Sequence, residues 1–147
     1  MFTVLTTNQK GAVAEMAIAH QALELGAGVY FPVGDEGADL IIDLRPRLIR
    51  VQCKWACCYG DVVIVRLYSA RRAREGLRRT FYNDAEIDAF AAYSRDTGQC
   101  YFFLFDELSS RSEIRLRLEP TRNNQAKGVK WAKDYELAAR LRAFQGP

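Results

Sequence analysis

The chain has 147 residues, 49% of them hydrophobic and 27% charged, which is enough for one domain with a real core and excludes a disordered chain. Met1 to Lys10 carries no long apolar run, and no stretch is long enough to span a bilayer. A signal peptide and a membrane anchor are therefore not expected, and a cytoplasmic location is. The net charge of +3 is modest but unevenly spread: six arginines stand against Glu75 between Arg66 and Arg79, and seven basic residues against Glu113 and Glu119 between Arg111 and Lys133. Asp35, Glu36, Asp39 and Asp43 form an acidic centre. Two basic segments around a small acidic centre suit a polyanion binder that holds a metal; the plainer alternative is solvated loops.

In chain order, Thr6-Thr7-Asn8 offers helix N-caps, and Ala12 to Leu25 follows with strong helix formers before Gly26 and Gly28. On this helix Glu15 shares a face with Ile18, Ala22 and Leu25. An acid in an apolar stripe needs a partner or a metal; an ordinary helix-edge acid is the other reading. His20, the single histidine, falls on another side and reads as structural. Val29-Tyr30-Phe31 is a short strand ended by Pro32, and Gly34 to Gly37 is a turn.

The central feature is a hairpin, Gly37 to Leu44 and Arg47 to Lys54, broken at Arg45-Pro46. A turn symmetric about that bond places Asp39 opposite Gln52; a turn one residue longer destroys the register. The two-residue period puts Gln52 and Lys54 on one face of their strand and Ile49, Val51 and Cys53 on the other.

Trp55 to Gly60 reads as a loop, and Asp61 to Leu67 as a strand buried on both faces. Ser69 to Thr80, the first basic segment, reads as a loop or short helix. The alanines of Asp84 to Tyr93 favour a helix, but alternation from Ile87 to Tyr93 and the turn Asp96-Thr97-Gly98 before the aromatic run Cys100 to Phe105 favour a second hairpin, which is the preferred reading. Ile114 to Leu118 is a short exposed strand, Pro120 to Gly128 a polar loop, and Val129 to Phe144 a helix with Trp131, Tyr135, Ala138 and Leu141 on one side. Cys53, Cys57, Cys58 and Cys100 lack zinc-ligand spacing and read as reduced thiols.

One acid, one amide and one ammonium on a sheet face can hold a divalent ion and a phosphate. Asp39 supplies hard oxygen suited to Mg²⁺, with Mn²⁺ able to substitute, and the Cys53 carbonyl can add a second donor. Glu15 can reach the ion or a water on it from the helix. Lys54 is the candidate contact to the phosphate or the attacking water, and Gln52 the neutral member.

At these residues the sequence resembles the PD-(D/E)xK nuclease superfamily, whose pattern stands here as Glu15, Asp39 and Gln52-Cys53-Lys54. Lys10-Gly11, Leu25-Gly26, Val29, Pro32, Gly34, Asp43, Arg50-Val51, Glu86 to Phe90 and Arg122 to Gln125 extend the similarity toward the group-I-intron-associated homing endonucleases of that fold. Archaeal Holliday-junction resolvases are similar over the first segment. The chain departs from the pattern twice: Ala38 replaces the Pro before Asp39, and Gln52 replaces an acid.

The resemblance implies a single nuclease domain over residues 1–147, with an α/β, restriction-endonuclease-like fold: a mixed central β-sheet flanked by helices. It implies catalytic Glu15, Asp39, Gln52 and Lys54, with metal held by Asp39, the Cys53 carbonyl and Glu15. The implied substrate is double-stranded DNA, cut at specific sites with Mg²⁺. Arg71, Arg72, Arg74, Arg78 and Arg79 would grip phosphates, and Arg122, Asn123, Asn124, Gln125 and Lys127 would combine phosphate and base contacts. A turn is the other reading of the Asn-Asn-Gln run. Symmetric cutting of two strands favours a homodimer or homotetramer, with the aromatic strand or the C-terminal helix as the expected interface. The alternatives are a junction resolvase or repair nuclease with the same core, or a catalytically silent DNA-binding protein.

Overall fold

The structure, a computed structural model, describes residues 4–108, 111–124 and 126–145, with backbone alone at Arg71, Arg72 and Gln145. Its first helix begins with a reciprocal cap. The Gln9 amide donates to the Thr6 hydroxyl (3.2 Å) and the Thr6 amide to the Gln9 side chain (2.8 Å), satisfying two donors that a helix start otherwise leaves unpaired. Helix α1 runs Thr7–Glu24. It stops because Gly26 enters the left-handed region (φ 89°), so that the Gly26 amide donates to Leu23 and the Ala27 amide to Ala22.

The strands are β1 (Gly28–Tyr30), β2 (Leu40–Asp43), β3 (Leu48–Trp55), β4 (Cys57–Tyr59), β5 (Val62–Arg66), β6 (Tyr68–Ala73), β7 (Gly76–Phe81), β8 (Ala89–Ser94), β9 (Gln99–Leu104) and β10 (Glu113–Arg117). Helix α2, Leu137–Gln145, closes the described chain. The main sheet has the order β1-β2-β3-β8-β9. Within it only β3 and β8 are parallel neighbours; the other pairs are antiparallel. A second sheet has the order β10-β5-β4, and β6 with β7 forms a two-stranded ribbon.

Alternation along each strand sorts the core into two halves. Leu40, Ile42, Ile49, Val51, Ala89, Ala91 and Phe102 pack against Ile18, Ala22, Leu137 and Leu141 of the helices. Phe90, Ala92, Tyr101 and Phe103 point the other way and pack against Val63, Val65, Ile114 and Leu116 of the second sheet. The result is three layers, helices on sheet on sheet, in which β8 and β9 are buried on both faces. Each fully buried Phe or Ile contributes about 1.5–3 kcal/mol of apolar transfer, so both interfaces count.

The parallel pair is pinned by one acid. Arg50 donates to Asp88 from its amide (2.8 Å), Nε (3.0 Å) and Nη2 (2.9 Å), and to the carbonyls of Ala85 (2.6 Å) and Asp84 (2.9 Å). Hydrogen bonds from Arg50 hold the Asp88 carboxyl below its ordinary range. This fork fixes where β8 starts beside β3. Between the two, the chain crosses over from Ala56 to Asp88 and forms β4, β5 and the β6–β7 ribbon on the way.

Several elements differ from sequence expectation. The basic segment is a β-ribbon, not a loop or helix, turning through Gly76 (φ 111°). Cys57–Tyr59 is a strand because it pairs with β5. Strand β5 buries only one face, since Val63 and Val65 alternate with exposed or half-buried residues. Strand β10 is not an exposed strand: Ile114 and Leu116 are fully buried. The C-terminal helix is shorter, because Glu136 is extended (ψ 133°) and bridges Tyr101, separating a 3₁₀ turn at Ala132–Tyr135 from α2. The aromatic strand offers no exposed apolar face, because Tyr101, Phe102 and Phe103 fill the chain's own core. All four cysteines are free thiols. Among the described residues no helix is long and apolar enough to cross a membrane.

Candidate active site

The turn between β2 and β3 is symmetric about Arg45-Pro46, so Leu40 faces Val51 and Asp43 faces Leu48. Extending that register places Asp39 opposite Gln52. The Asp39 amide still donates to the Val51 carbonyl (2.8 Å), but β2 begins only at Leu40 while β3 continues to Trp55. Beyond this point β3 has no β2 partner, and the Asp39 side chain takes its place: Oδ2 accepts from the Cys53 amide (2.8 Å). In an extended strand a residue's N–H and C=O point the same way, so the Cys53 carbonyl opens into the same notch. Gln52 Nε2 donates to it at 3.4 Å.

Groups reach this notch from both faces of the sheet. Glu15, half-buried on α1, comes from the helix side. Burial and the Asp39 charge both raise its proton affinity. Asp39 is likewise raised by burial, opposed by the Cys53 hydrogen bond and by Lys54. Gln52, 9% exposed, and Lys54 come from the other face. Lys54 Nζ donates to the Tyr68 carbonyl (2.9 Å) and to the Tyr82 hydroxyl (3.4 Å). Burial pulls the Lys54 ammonium down to about 8 against the pull of Asp39. The Cys53 thiol is pushed far up, first by burial and then by the Asp39 and Glu15 charges, so it is an inert core group.

Two half-buried, mutually repelling carboxylates beside a strand carbonyl with no strand partner form a hard-oxygen donor set that a divalent cation would neutralise. Among the described residues no three Asp, Glu, His or Cys side chains gather as a metal cluster. The set fits one ion that keeps several of its waters, held by Asp39, Glu15 and the Cys53 carbonyl. It does not offer the carboxylate count of a two-ion cage.

Glu15, Asp39, Gln52, Cys53 and Lys54 are thus brought to one place. His20 lies outside it, exposed and paired with Glu24 (3.2 Å). The ribbon that carries Arg71, Arg72, Arg74, Arg78 and Arg79 springs directly from the site, since Tyr68 opens β6. Arg74, Arg78 and Arg79 are exposed. Arg122, Asn123, Asn124 and Lys127 are exposed on a loop that follows β10 at the Val62 end of β5, where the Arg117 amide donates to the Lys130 carbonyl. Asn124 takes a left-handed turn conformation (φ 56°), and Gln125 lies outside the described residues. Sequence reasoning missed the two partners of Lys54. A backbone carbonyl leaves no mark on the sequence, and Tyr82 stands in no motif that ties it to Lys54.

A family model described as PD-(D/E)XK endonuclease matches residues 5–138. No curated protein matches. Among solved structures, the bacterial homing endonuclease I-Ssp6803I is similar at 28% identity, over 97% of this chain and 96% of its own, with a TM-score of 0.77. The matched residues include Glu15, Asp39, Gln52 and Lys54 of the notch. The chain belongs to the PD-(D/E)XK endonuclease family.

Proposed function

We propose that the protein is a Mg²⁺-dependent endonuclease that cuts both strands of duplex DNA at a specific site, of the intron-homing kind. One observation carries this reading: Asp39, locked by the Cys53 amide, sits with Glu15 and Lys54 just before β2 begins, where β3 runs on without it. The full-length similarity to a homing endonuclease supports the finer assignment.

Nucleases of this family generally use divalent ions, and an ion held by Asp39, Glu15 and the Cys53 carbonyl would supply Lewis-acid polarisation of the scissile phosphate. Asp39 is a fixed donor, because its Oδ2 hydrogen bond removes rotameric freedom. Lys54 places a cation beside the phosphate and stabilises the charge that builds as the bond breaks. Glu15, whose proton affinity is raised, is suited to orient the attacking water and take its proton. Gln52 contributes an amide without charge, which keeps the site at two carboxylates. Mn²⁺ has similar oxygen preferences and is expected to substitute. The ribbon arginines would hold phosphates, and the loop from Arg122 to Lys127 would add phosphate and base contacts.

A silent DNA-binding protein is the second reading, favoured by Gln52 standing where an acid belongs. One experiment separates the two. A plasmid library with randomised inserts is incubated with wild type, Asp39→Ala and Lys54→Ala in Mg²⁺ and in Mn²⁺. Wild type is expected to linearise a subset of inserts, and each substitution to slow this by about a hundredfold or more. Cleavage surviving both substitutions sinks the site assignment; an intact library with wild type in both ions establishes the silent binder.

A further inference from the structure

The geometry points to Tyr82 as a positioning residue for Lys54: at the foot of the β6–β7 ribbon, its ring and hydroxyl, together with the Tyr68 carbonyl, form the cradle that aims the ammonium into the notch. The inference rests on the reading of Lys54 as a catalytic group.

The lysine is held from both legs of the ribbon. Tyr68 is the first residue of β6, and its carbonyl accepts from Nζ at 2.9 Å. Tyr82 follows Phe81, the last residue of β7, and its hydroxyl lies 3.4 Å from Nζ. The ammonium also sits 4.9 Å from the centre of the Tyr82 ring, within cation–π range. One aromatic thus holds the lysine by two features.

Tyr82 is itself anchored. Its ring packs edge-on against Phe90 of β8, 5.7 Å between centres, so it is fixed to the rigid sheet and not only to the ribbon. The ribbon's base is closed by Tyr68 against Phe81 (5.9 Å), with the Arg79 guanidinium stacked on Tyr68 (4.5 Å). An arginine proposed to grip DNA therefore leans on the residue whose carbonyl holds the lysine. A long, flexible ammonium side chain has little orientation of its own, and misplacement by about 1 Å costs on the order of a hundredfold in rate. With one aromatic and one carbonyl holding it, Lys54 has a defined pose before substrate arrives.

Tyr82→Phe removes the hydroxyl and keeps the ring. Three quantities are measured on the full chain: single-turnover cleavage in Mg²⁺ of an insert recovered from the library, DNA affinity in Ca²⁺, and the ¹³Cε resonance of Lys54 in metal-free protein. Lys54 is one of five lysines, so its resonance is assignable by its absence in Lys54→Met. The expected result is a rate about tenfold lower, with affinity and melting temperature unchanged and the Lys54 resonance shifted. Tyr82→Leu, which removes the ring as well, is expected to shift the resonance further. A wild-type rate in Tyr82→Phe overturns the inference, and so does a slower rate with an unmoved Lys54 resonance. Full cleavage by Lys54→Ala would instead sink the proposed function, so the two failures are distinguishable.

Discussion

At the scale of single residues, Asp39 is held in place at a cost. When ionised it sits in a part-buried notch beside a second carboxylate, and burial raises its proton affinity above the ordinary value of 3.8. A raised carboxyl disfavours folding when ionised, and the cost disappears as pH falls through the folded-state pKa toward 3.8. Asn keeps an oxygen for the Cys53 amide and carries no charge. Asp39→Asn is therefore expected to melt a few degrees above wild type at pH 7 without metal, the gap closing by about pH 4. Added Mg²⁺ is expected to raise the wild-type melting temperature and to leave Asp39→Asn nearly unmoved. Calorimetry across pH, with and without Mg²⁺, checks both; a destabilised Asp39→Asn at pH 7 would show that the carboxylate is not strained. Asp39, Gln52 and Lys54 were legible in the sequence because two rules sufficed: a strand alternates, and a turn symmetric about Arg45-Pro46 sets the register. Glu15 was legible as an acid in an apolar stripe. The cradle of Lys54 was not, because Tyr68 acts through its backbone.

At the scale of elements, the ribbon carries the consequence. Strand β7 is exposed along its whole length, so its arginines contribute little to the core. Arg78→Ala and Arg79→Ala should each weaken DNA binding, with little change in melting temperature for Arg78→Ala. Each phosphate that a substitution leaves unneutralised should reduce the slope of log affinity against log salt by about 0.9. Fluorescence anisotropy over a salt series reads that slope; unchanged slopes in both variants would remove the ribbon from the DNA interface. The ribbon escaped sequence reading because arginine and alanine do not favour strands, and its strands are defined by pairing with each other and by Gly76 at the turn. The C-terminal helix was over-read for the opposite reason. Helical spacing continued through Glu136, and only its bridge to Tyr101, a tertiary event, broke it.

For the whole molecule, three layers leave the aromatic strand inside the monomer. The expected assembly then has to use other surfaces. Tyr30, Phe31 and Val33 are exposed at the β1 edge of the main sheet, while the faces of β8 and β9 are already covered. Two-fold cutting still asks for two sites, so light scattering is expected to give the mass of a dimer or tetramer; a monomeric mass with intact double-strand cutting would refute the symmetric arrangement. A mixed sheet with helical cover was expected from the family resemblance; element order alone shows a sheet covered by helices without fixing which strands run parallel. The second sheet was not legible, because β10 finds β5 only when distant segments meet, and the local hairpin of β4 with β5 reads in the sequence as a loop. The parallel pairing of β3 with β8 carries one more consequence. Parallel neighbours need a long connection, and here that connection bears the arginine ribbon between Tyr68 and Tyr82. Neither the Asp39–Lys54 hairpin nor the β8–β9 hairpin depends on its length. On the DNA role proposed for the ribbon, exchanging residues 69–81 between the two tyrosines is expected to alter target preference and to leave the Asp39–Lys54 hairpin in place.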